Sequence, residues 1–214
     1  QPAGWTTRDG RLWFPTVKGL ASIDPARIRT SEIPPPVVVE QVSADGGSLI
    51  WSTLLGGTLD YAWLGASGYA KIYLTDPEAV EVKLTKQNLD GSTGYYSIGF
   101  TRKDTGITSM DDAKGKTCAF ADPNSTSGYL VPGAELTAKY GKLEEYFAEV
   151  KMSGGHEQTI VGVANGDFDA GVSWADGLGN WEDGYNSGAF RKAADAGLVD
   201  MSNLVEIWRS EVIP

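Results

Sequence analysis

The sequence predicts an α/β protein, because short apolar segments alternate with helical segments after Ile50 and glycine-rich turns separate them. Strands are expected at residues 59–64, 95–101, 117–121, 150–152, 168–174 and 204–208. Helical segments are expected at residues 110–115, 132–140, 143–147, 156–165 and 190–196. Residues 78–86 are interpreted as a strand, with a loop as the alternative.

The first 47 residues have a different pattern from the rest of the chain. Turn signals precede two short apolar runs, at residues 9–14 and 18–25, with the spacing of a β-meander. Three prolines at residues 34–36 predict a stiff extended linker, and residues 37–42 predict a further strand. This portion resembles the last propeller repeat of the periplasmic sensor region of two-component histidine kinases. A propeller repeat needs neighbours to bury its faces, so we expect loose packing here, and a β-rich extension that packs on the main domain is the alternative.

Length and composition exclude several functional classes. At 214 residues the chain can hold one large or two small domains, with enough apolar residues for a core. The formal net charge of −10 argues against a nucleic-acid partner or an anionic membrane surface. No apolar run approaches the roughly eighteen residues that a membrane-spanning helix needs. Cys118 is the only cysteine, so it cannot form an internal disulfide, and its apolar neighbours predict a small core residue.

The segment of residues 122–132 is the most informative motif. A buried strand that ends at Ala121 is followed by a turn, Asp-Pro-Asn, and then by Ser125, Thr126 and Ser127. Such residues favour the start of a helix, because their side chains accept hydrogen bonds from free backbone N–H groups. The same N–H groups and the three hydroxyls can bind phosphoryl-type oxygens. The pattern therefore fits both an anion site and an ordinary N-cap.

Other predicted strand ends also carry small or polar residues. Ligands of open α/β sheets bind beyond the carboxyl ends of strands, so the small-residue turn at residues 65–68 is a second candidate wall. His156 follows two glycines and begins a helix, and it is either a ligand contact or a hydrogen-bonded packing residue. Asp176 is either a ligand contact or a common helix cap. Tyr95 and Tyr96 alternate in facing, so at most one of them points into a cleft.

Five segments, in order, are similar to the periplasmic phosphonate-binding protein of an ABC importer, a type II substrate-binding protein. The resemblance extends from about residue 50 to residue 214. Its segments are Gly-Ser-Thr-Gly-Tyr-Tyr-Ser at 91–97, Asp-Pro-Asn-Ser-Thr-Ser-Gly-Tyr-Leu-Val-Pro-Gly at 122–133, Gly-His-Glu at 155–157, Val-Ala-Asn-Gly at 163–166 and Ile-Trp-Arg-Ser at 207–210. The long central segment is the most specific of the five.

The resemblance implies a set of ligand-binding residues and no catalytic ones. The implied residues are Tyr95, Ser125, Thr126, Ser127, His156 and Asp176. The hydroxyl triplet and its N–H groups would hold the phosphonate oxygens, and the tyrosine and the histidine would contact the same group. The carboxylate would receive an amino group of the ligand. No metal ion and no cofactor is expected.

The resemblance also implies a two-lobed architecture, with one lobe complete and the other in part. The expected divisions are a β-rich segment and linker at 1–47, part of lobe one at 48–94, the anion-binding lobe two at 95–206, and a crossover back to lobe one at 207–214. The implied protein is a periplasmic monomer that captures a phosphonate, such as 2-aminoethylphosphonate, for the membrane subunits of an ABC transporter. It would not be an enzyme.

Two other functions stay open as alternatives. A phosphate-ester-acting enzyme would need a nucleophile with a base, a metal cluster or a phosphate-binding Lys loop. One histidine, one cysteine and the lack of a Gly-x-x-x-x-Gly-Lys motif leave little for such chemistry. A ligand-sensing fragment of a two-component sensor is the second alternative, and only the first 47 residues support it.

Overall fold

The computed structural model of the chain divides into two units, Gln1–Val37 and Val38–Pro214. In the first unit the structure describes three strands, at residues 5–6, 12–16 and 19–23. In the second unit it describes residues 54–57, 62 and 64–214.

The first unit contains a three-stranded antiparallel sheet. Its strands are β1 (Trp5–Thr6), β2 (Leu12–Thr16) and β3 (Gly19–Ile23), in the order β1-β2-β3. Sequential antiparallel neighbours form a meander, so the predicted β-meander is confirmed. The predicted linker at 34–36 and the predicted strand at 37–42 lie outside the described residues. The likeness to a propeller repeat stays a prediction.

A five-stranded mixed sheet forms the centre of the second unit. Its strands are β4 (Tyr96–Arg102), β5 (Thr117–Phe120), β6 (Glu149–Met152), β7 (Ala170–Ala175) and β8 (Leu204–Arg209), in the order β6-β5-β7-β4-β8. Strand β5 runs parallel to β6 and β7, whereas β4 is antiparallel to β7 and β8. The carboxyl ends of β5, β6 and β7 therefore meet the amino end of β4 at one end of the sheet.

Helices connect these strands and cover the sheet. Those described in full are α1 (Ala66–Thr75), α2 (Val131–Tyr140), α3 (Leu143–Tyr146), α4 (His156–Asn165) and α5 (Ala189–Asp195). A π-helical turn at Thr126–Leu130 leads directly into α2. Short 3-10 turns occupy Lys103–Thr105, Met110–Ala113, Trp181–Asp183 and Met201–Asn203. None of the described helices has the length and apolar content that crossing a membrane requires.

The core lies on both faces of the five-stranded sheet. On one face, α4 and α5 pack against β4 and β7, with Phe100, Ile160 and Phe190 fully buried. The rings of Phe100 and Phe190 meet edge to face, with 4.9 Å between their centroids. On the other face, α2 and α3 pack against β5, with Phe120 and Leu136 fully buried. Burial on both faces agrees with the near-continuous apolar sequence of the central strands.

Gly171 on β7 allows α4 to approach the sheet closely. A Cβ atom at this position would lie 2.7 Å from Cγ2 of Thr159 and 2.9 Å from Cγ2 of Val163. Real Cβ atoms do not come this close, so a side chain here would push the helix away from the strand. Because α4 begins with His156, this close contact also determines where the histidine ring lies.

The elements predicted from residue 95 onwards are found within about two residues of their expected bounds. Residues 78–86 form no strand, and the loop alternative is correct, since their side chains are almost all exposed and no sheet neighbour pairs with them. The strand predicted at 59–64 lies largely outside the described residues. Pro132 is the second residue of α2 rather than the first, because the π-helical turn before it already winds the chain.

Candidate anion-binding site

The candidate site lies where the carboxyl ends of β5 and β7 meet the amino end of β4. The loop after β5 carries residues 125–127, which we call the hydroxyl triplet. Tyr95 immediately precedes β4, and His156 begins α4. The hydroxyl of Ser97 on β4 donates a 2.7 Å hydrogen bond to the carbonyl of Ser127. This bond joins the loop to the sheet and sets the position of the triplet.

Ser125 is the N-cap of the π-helical turn. Its Oγ accepts a 3.0 Å hydrogen bond from the N–H of Gly128. Gly128 is required for this turn, since a Cβ there would lie 2.5 Å from Cβ of Ala121 and 2.8 Å from Oγ of Ser125. The plainer alternative from the sequence is therefore confirmed. The cap does not exclude an anion site, because it uses only one lone pair of one of the three hydroxyls.

The N–H groups of Thr126 and Ser127 have no acceptor among the described residues. They are the first donors of a helical turn, and no carbonyl lies four or five residues earlier in helical geometry to receive them. Both residues are buried, with exposed fractions of 9% and 4%. Unpaired backbone donors at such a position are costly unless a ligand or water receives them. Together with the neighbouring hydroxyls they form a cradle that suits an oxyanion.

His156 lies beside the triplet and contacts a hydroxyl at each end of its ring. Its Nε2 is 3.2 Å from Oγ of Ser125, and its Nδ1 is 3.2 Å from Oγ of Ser173. Burial lowers the pKa of this imidazole to about 4, and the Asp122 carboxylate offsets the effect only in part. The ring is therefore neutral at pH 7, and it offers one N–H and one lone pair to its surroundings.

Tyr95 lies on the other side of the triplet. Burial raises the pKa of its phenol, and the nearby hydroxyls of Ser127 and Thr126 partly oppose this rise. The phenol therefore stays protonated at neutral pH and can donate to an anion. The Tyr96 ring faces away from the triplet and packs under the guanidinium of Arg209, 5.2 Å from the ring centroid. Of the two tyrosines, Tyr95 is thus the one next to the triplet, in keeping with the expectation that at most one of them points into a cleft, and its contact with a ligand stays a prediction.

The small-residue turn at residues 65–68 forms a further wall, as the sequence predicted. The N–H of Ser67 donates a 3.0 Å hydrogen bond to Oγ1 of Thr126, and the two hydroxyl oxygens are 2.5 Å apart. The Ser67 hydroxyl also donates to the carbonyl of Asn124 at 3.1 Å. Because the Ser67 proton goes to the carbonyl of Asn124, the proton between the two hydroxyl oxygens comes from Thr126. The Thr126 hydroxyl therefore holds the turn at 65–68 in place, and its backbone N–H is the donor that remains for a ligand.

Asp176 is the predicted site residue that no described contact joins to the triplet. It is 4% exposed at the end of β7, where its Oδ1 accepts a 3.1 Å hydrogen bond from the N–H of Leu178. Its own N–H donates to the carbonyl of Ser187 at 2.8 Å. The carboxylate therefore caps its own turn, which is the alternative that the sequence left open. Its Oδ2 has no hydrogen-bond partner in the part of the chain that the structure describes.

Two residues of the site were missed from the sequence, Trp174 and Lys86. The Trp174 ring meets Tyr95 edge to face at 5.6 Å and His156 at 6.4 Å. Lys86 places its ammonium 5.6 Å from the centroid of the Trp174 ring and donates 2.7 Å to Oγ of Ser187. An aromatic residue inside a strand normally predicts core, and a lysine in a loop predicts a solvated charge. No local pattern in the sequence indicates that the two meet.

The described residues contain no group of three or more His, Cys, Asp and Glu side chains placed to hold a metal ion. The donors at the triplet are neutral hydroxyls and backbone N–H groups, which suit an anion directly. The chemistry that this arrangement supports is therefore reversible hydrogen bonding to a small oxyanion.

Comparisons with known proteins agree with this geometry. The sequence model of the family described as "ABC transporter, phosphonate, periplasmic substrate-binding protein" matches residues 39–214. The phosphate-import protein PhnD of Mycolicibacterium smegmatis is 28% identical over 90% of this chain and 59% of its own length. The phosphonates-binding periplasmic protein of Escherichia coli is 32% identical over 73% of this chain and 43% of its own. The chain thus spans about half the length of the curated relatives that it matches.

Solved structures of binding proteins share the fold. A binding-protein component of an ABC phosphonate transporter from Pseudomonas aeruginosa has a TM-score of 0.65 at 26% identity, over 80% of this chain and 53% of its own. PhnD1 of Prochlorococcus marinus, solved in complex with methylphosphonate, has a TM-score of 0.58 at 21% identity, over 80% of this chain and 59% of its own. The predicted type II periplasmic binding-protein fold is confirmed. The chain belongs to the family of periplasmic substrate-binding proteins of phosphonate ABC transporters.

Proposed function

We propose that this chain reversibly binds a phosphonate, or a related phosphorus oxyanion, in the periplasm and delivers it as a monomer to the membrane subunits of an ABC transporter. The observation that carries this proposal is the cradle at Thr126 and Ser127, where two N–H groups without a described acceptor adjoin three hydroxyls. The family and the printed functions of the relatives support the same ligand class.

The tetrahedral head of a phosphonate fits the donors that surround the cradle. It presents three oxygens with a shared negative charge, and each can accept more than one hydrogen bond. Tyr95 remains protonated, because burial raises the pKa of its phenol, and so it adds a donor on one side. A hydrogen bond to a charged group contributes about 1.5–3 kcal/mol, so a few of them are enough for useful affinity.

The finer form of the proposal concerns the rest of the ligand. We propose an aminoalkylphosphonate, such as 2-aminoethylphosphonate, whose ammonium group would reach Asp176. Its carboxylate is almost fully buried, and Oδ2 has no partner among the described residues. Oδ2 is not among the described side-chain atoms that are buried without a partner, so it is accessible to solvent and can accept a hydrogen bond from a ligand ammonium group. A carboxylate beside an unaccompanied dianion would instead be repulsive.

Thermal unfolding with a panel of anions tests the proposal. The panel contains 2-aminoethylphosphonate, methylphosphonate, phosphite, phosphate and sulfate. A ligand at about a hundred times its Kd stabilises the folded state by about 2.7 kcal/mol, which raises the melting temperature by several degrees. We expect this increase for phosphonates, with a smaller one for sulfate, and no turnover of phosphate esters. A melting temperature that no phosphorus oxyanion changes would overturn the proposal.

A further inference from the structure

The hydroxyl of Ser125 has two competing hydrogen-bond roles, and the histidine ring decides between them. A serine hydroxyl has one proton and two lone pairs. One lone pair of Ser125 accepts the N–H of Gly128 at 3.0 Å, and the same oxygen lies 3.2 Å from Nε2 of His156. If the hydroxyl donates to the ring, no proton remains for a ligand. If the ring donates to the hydroxyl, both lone pairs are used and the proton is free to face the site.

The other end of the ring meets Ser173, in the middle of β7. This serine is 0% exposed, and its Oγ lies 3.2 Å from Nδ1 of His156. No other described residue contacts the Ser173 hydroxyl through a hydrogen bond. The imidazole is neutral at pH 7, so only one of its two nitrogens carries a proton.

The hydrogen-bond donors at the buried Nδ1 end of the His156 ring favour one tautomer. With the proton on Nδ1, the ring donates to Ser173, and the proton of the Ser173 hydroxyl then has no acceptor among the described residues. A buried O–H donor without an acceptor costs about 1–3 kcal/mol. With the proton on Nε2, Ser173 donates to Nδ1 and the ring donates to Ser125, so the ring proton and the Ser173 proton both have acceptors, and the proton of the half-buried Ser125 faces solvent or a ligand. Only the second arrangement leaves the Ser125 proton for the site.

We propose that Ser173 is a positioning residue, which holds His156 in the Nε2–H form and thereby leaves the hydroxyl proton of Ser125 free to bind the ligand oxyanion. The buried serine acts through the ring and does not touch the ligand. The part of this inference that concerns the ligand rests on the proposed function. The tautomer itself does not, because it follows from the contacts of the ligand-free chain.

The tautomer can be read directly, since His156 is the only histidine in the chain. Long-range ¹H–¹⁵N correlation spectra of the uniformly ¹⁵N-labelled, ligand-free protein at pH 7.5 report which ring nitrogen carries the proton. We expect a protonated Nε2 and an unprotonated Nδ1. A predominant Nδ1–H form would overturn the proposal without any need for a variant.

Variants then connect the tautomer to Ser173. In Ser173→Ala the ring loses the donor to Nδ1, and we expect a mixture of the two tautomers. Ser173→Thr keeps the hydroxyl and should restore the Nε2–H form. Thr101→Val is the matched control, because it also removes a fully buried hydroxyl from the sheet, but one that donates to the carbonyl of Asp169 and contacts neither the ring nor the triplet. His156 in this control should have the same tautomer as in the parent protein. An unchanged tautomer in Ser173→Ala contradicts the proposal.

Binding provides the functional measurement. With methylphosphonate as the probe, Ser173→Ala should raise Kd by about threefold to tenfold, as expected for the loss of one properly oriented hydrogen bond, and Ser173→Thr should recover most of the affinity. An unchanged Kd together with a changed tautomer would overturn the link between Ser173 and the ligand. If the parent protein binds no phosphonate at all, the proposed function fails, whereas the spectrum of the ligand-free chain still decides the tautomer.

Discussion

At the scale of single residues, His156 connects the stability of the protein to pH. Its imidazole is the only one in the chain, and burial lowers its pKa from 6.5 to about 4. The unfolded chain therefore binds a proton at a higher pH than the folded chain does. Stability from this residue is fully present above pH 6.5 and is lost as the pH falls towards 4.

We therefore predict that the free energy of unfolding decreases between pH 6.5 and pH 4, by about 3 kcal/mol at most, since one pKa unit corresponds to about 1.36 kcal/mol. Urea denaturation at a series of pH values measures this change. His156→Gln is the control, because an amide of similar shape does not titrate. The pH dependence of the free energy of unfolding that remains in this variant then comes from carboxylates. Parallel curves for the two proteins across this range would show that the ring is not buried as described.

We predict that Asp176 makes the protein select 2-aminoethylphosphonate over methylphosphonate. In Asp176→Asn the affinity for 2-aminoethylphosphonate should fall by about tenfold or more, because the ammonium loses a charged partner, whose hydrogen bond contributes about 1.5–3 kcal/mol. Methylphosphonate has no amino group, so its Kd should change little or improve. Calorimetric titration of both ligands against both proteins makes the comparison. Equal losses for the two ligands would mean that this carboxylate only caps its turn through Leu178.

At the scale of elements, the loop from β5 into α2 is the segment that carries the hydroxyl triplet. Ala121 pairs with the turn through its N–H, which donates to the carbonyl of Gly128 at 3.0 Å. The chain then winds as a π-helical turn, so that Leu130 bonds back to Ser125 across five residues. π-helical turns of this kind are rare and are found mostly at functional sites.

Gly128 and Gly133 offer a matched pair of substitutions in this element. Gly128→Ala should destabilise the protein by about 1–3 kcal/mol and remove phosphonate binding, because its Cβ would lie 2.5 Å from Cβ of Ala121 and 3.0 Å from Cε1 of His156. Gly133→Ala, in the following helix, should be neutral or stabilise by up to about 1 kcal/mol, because its Cβ meets only Tyr129 at 3.8 Å. Chemical denaturation and titration with methylphosphonate measure both. Equal effects of the two substitutions would contradict the described turn.

The sequence predicted well those elements whose local signals and buried contacts agree. Strand β5 is a buried apolar run, and α2 ends at Tyr140, the last residue of the predicted helix, with Gly141 as its C-cap. The strand interpretation of residues 78–86 is wrong and the loop alternative is correct, because this short exposed segment has no sheet partner to stabilise a strand. The contact of Lys86 with Trp174 joins residues far apart in the chain, so no local pattern could predict it. The role of Asp176 towards a ligand stays a prediction.

At the scale of the whole molecule, an acidic protein is proposed to capture an anion. The formal net charge is −10, so the long-range field opposes the approach of a phosphonate, and the affinity must come from short-range donors. The N–H groups of Thr126 and Ser127, which have no acceptor among the described residues, and the hydroxyls around them supply such donors, and none of these donors loses its proton near neutral pH. Local donors and overall charge therefore act in opposite directions, and the local donors decide the binding.

The most direct test of anion binding at the hydroxyl triplet is isothermal titration of methylphosphonate into the parent protein and into the variant Ser125→Ala/Thr126→Ala/Ser127→Ala. We predict saturable binding of one ligand per parent chain and no detectable heat for the variant. The variant loses the N-cap bond from Gly128, the contact of Ser125 with His156 and the bonds of Thr126 with Ser67. At about 1 kcal/mol each these losses total a few kcal/mol, and circular dichroism checks that the variant stays folded. Equal affinity of the two proteins would show that the triplet is a cap and that the anion, if it binds, binds elsewhere.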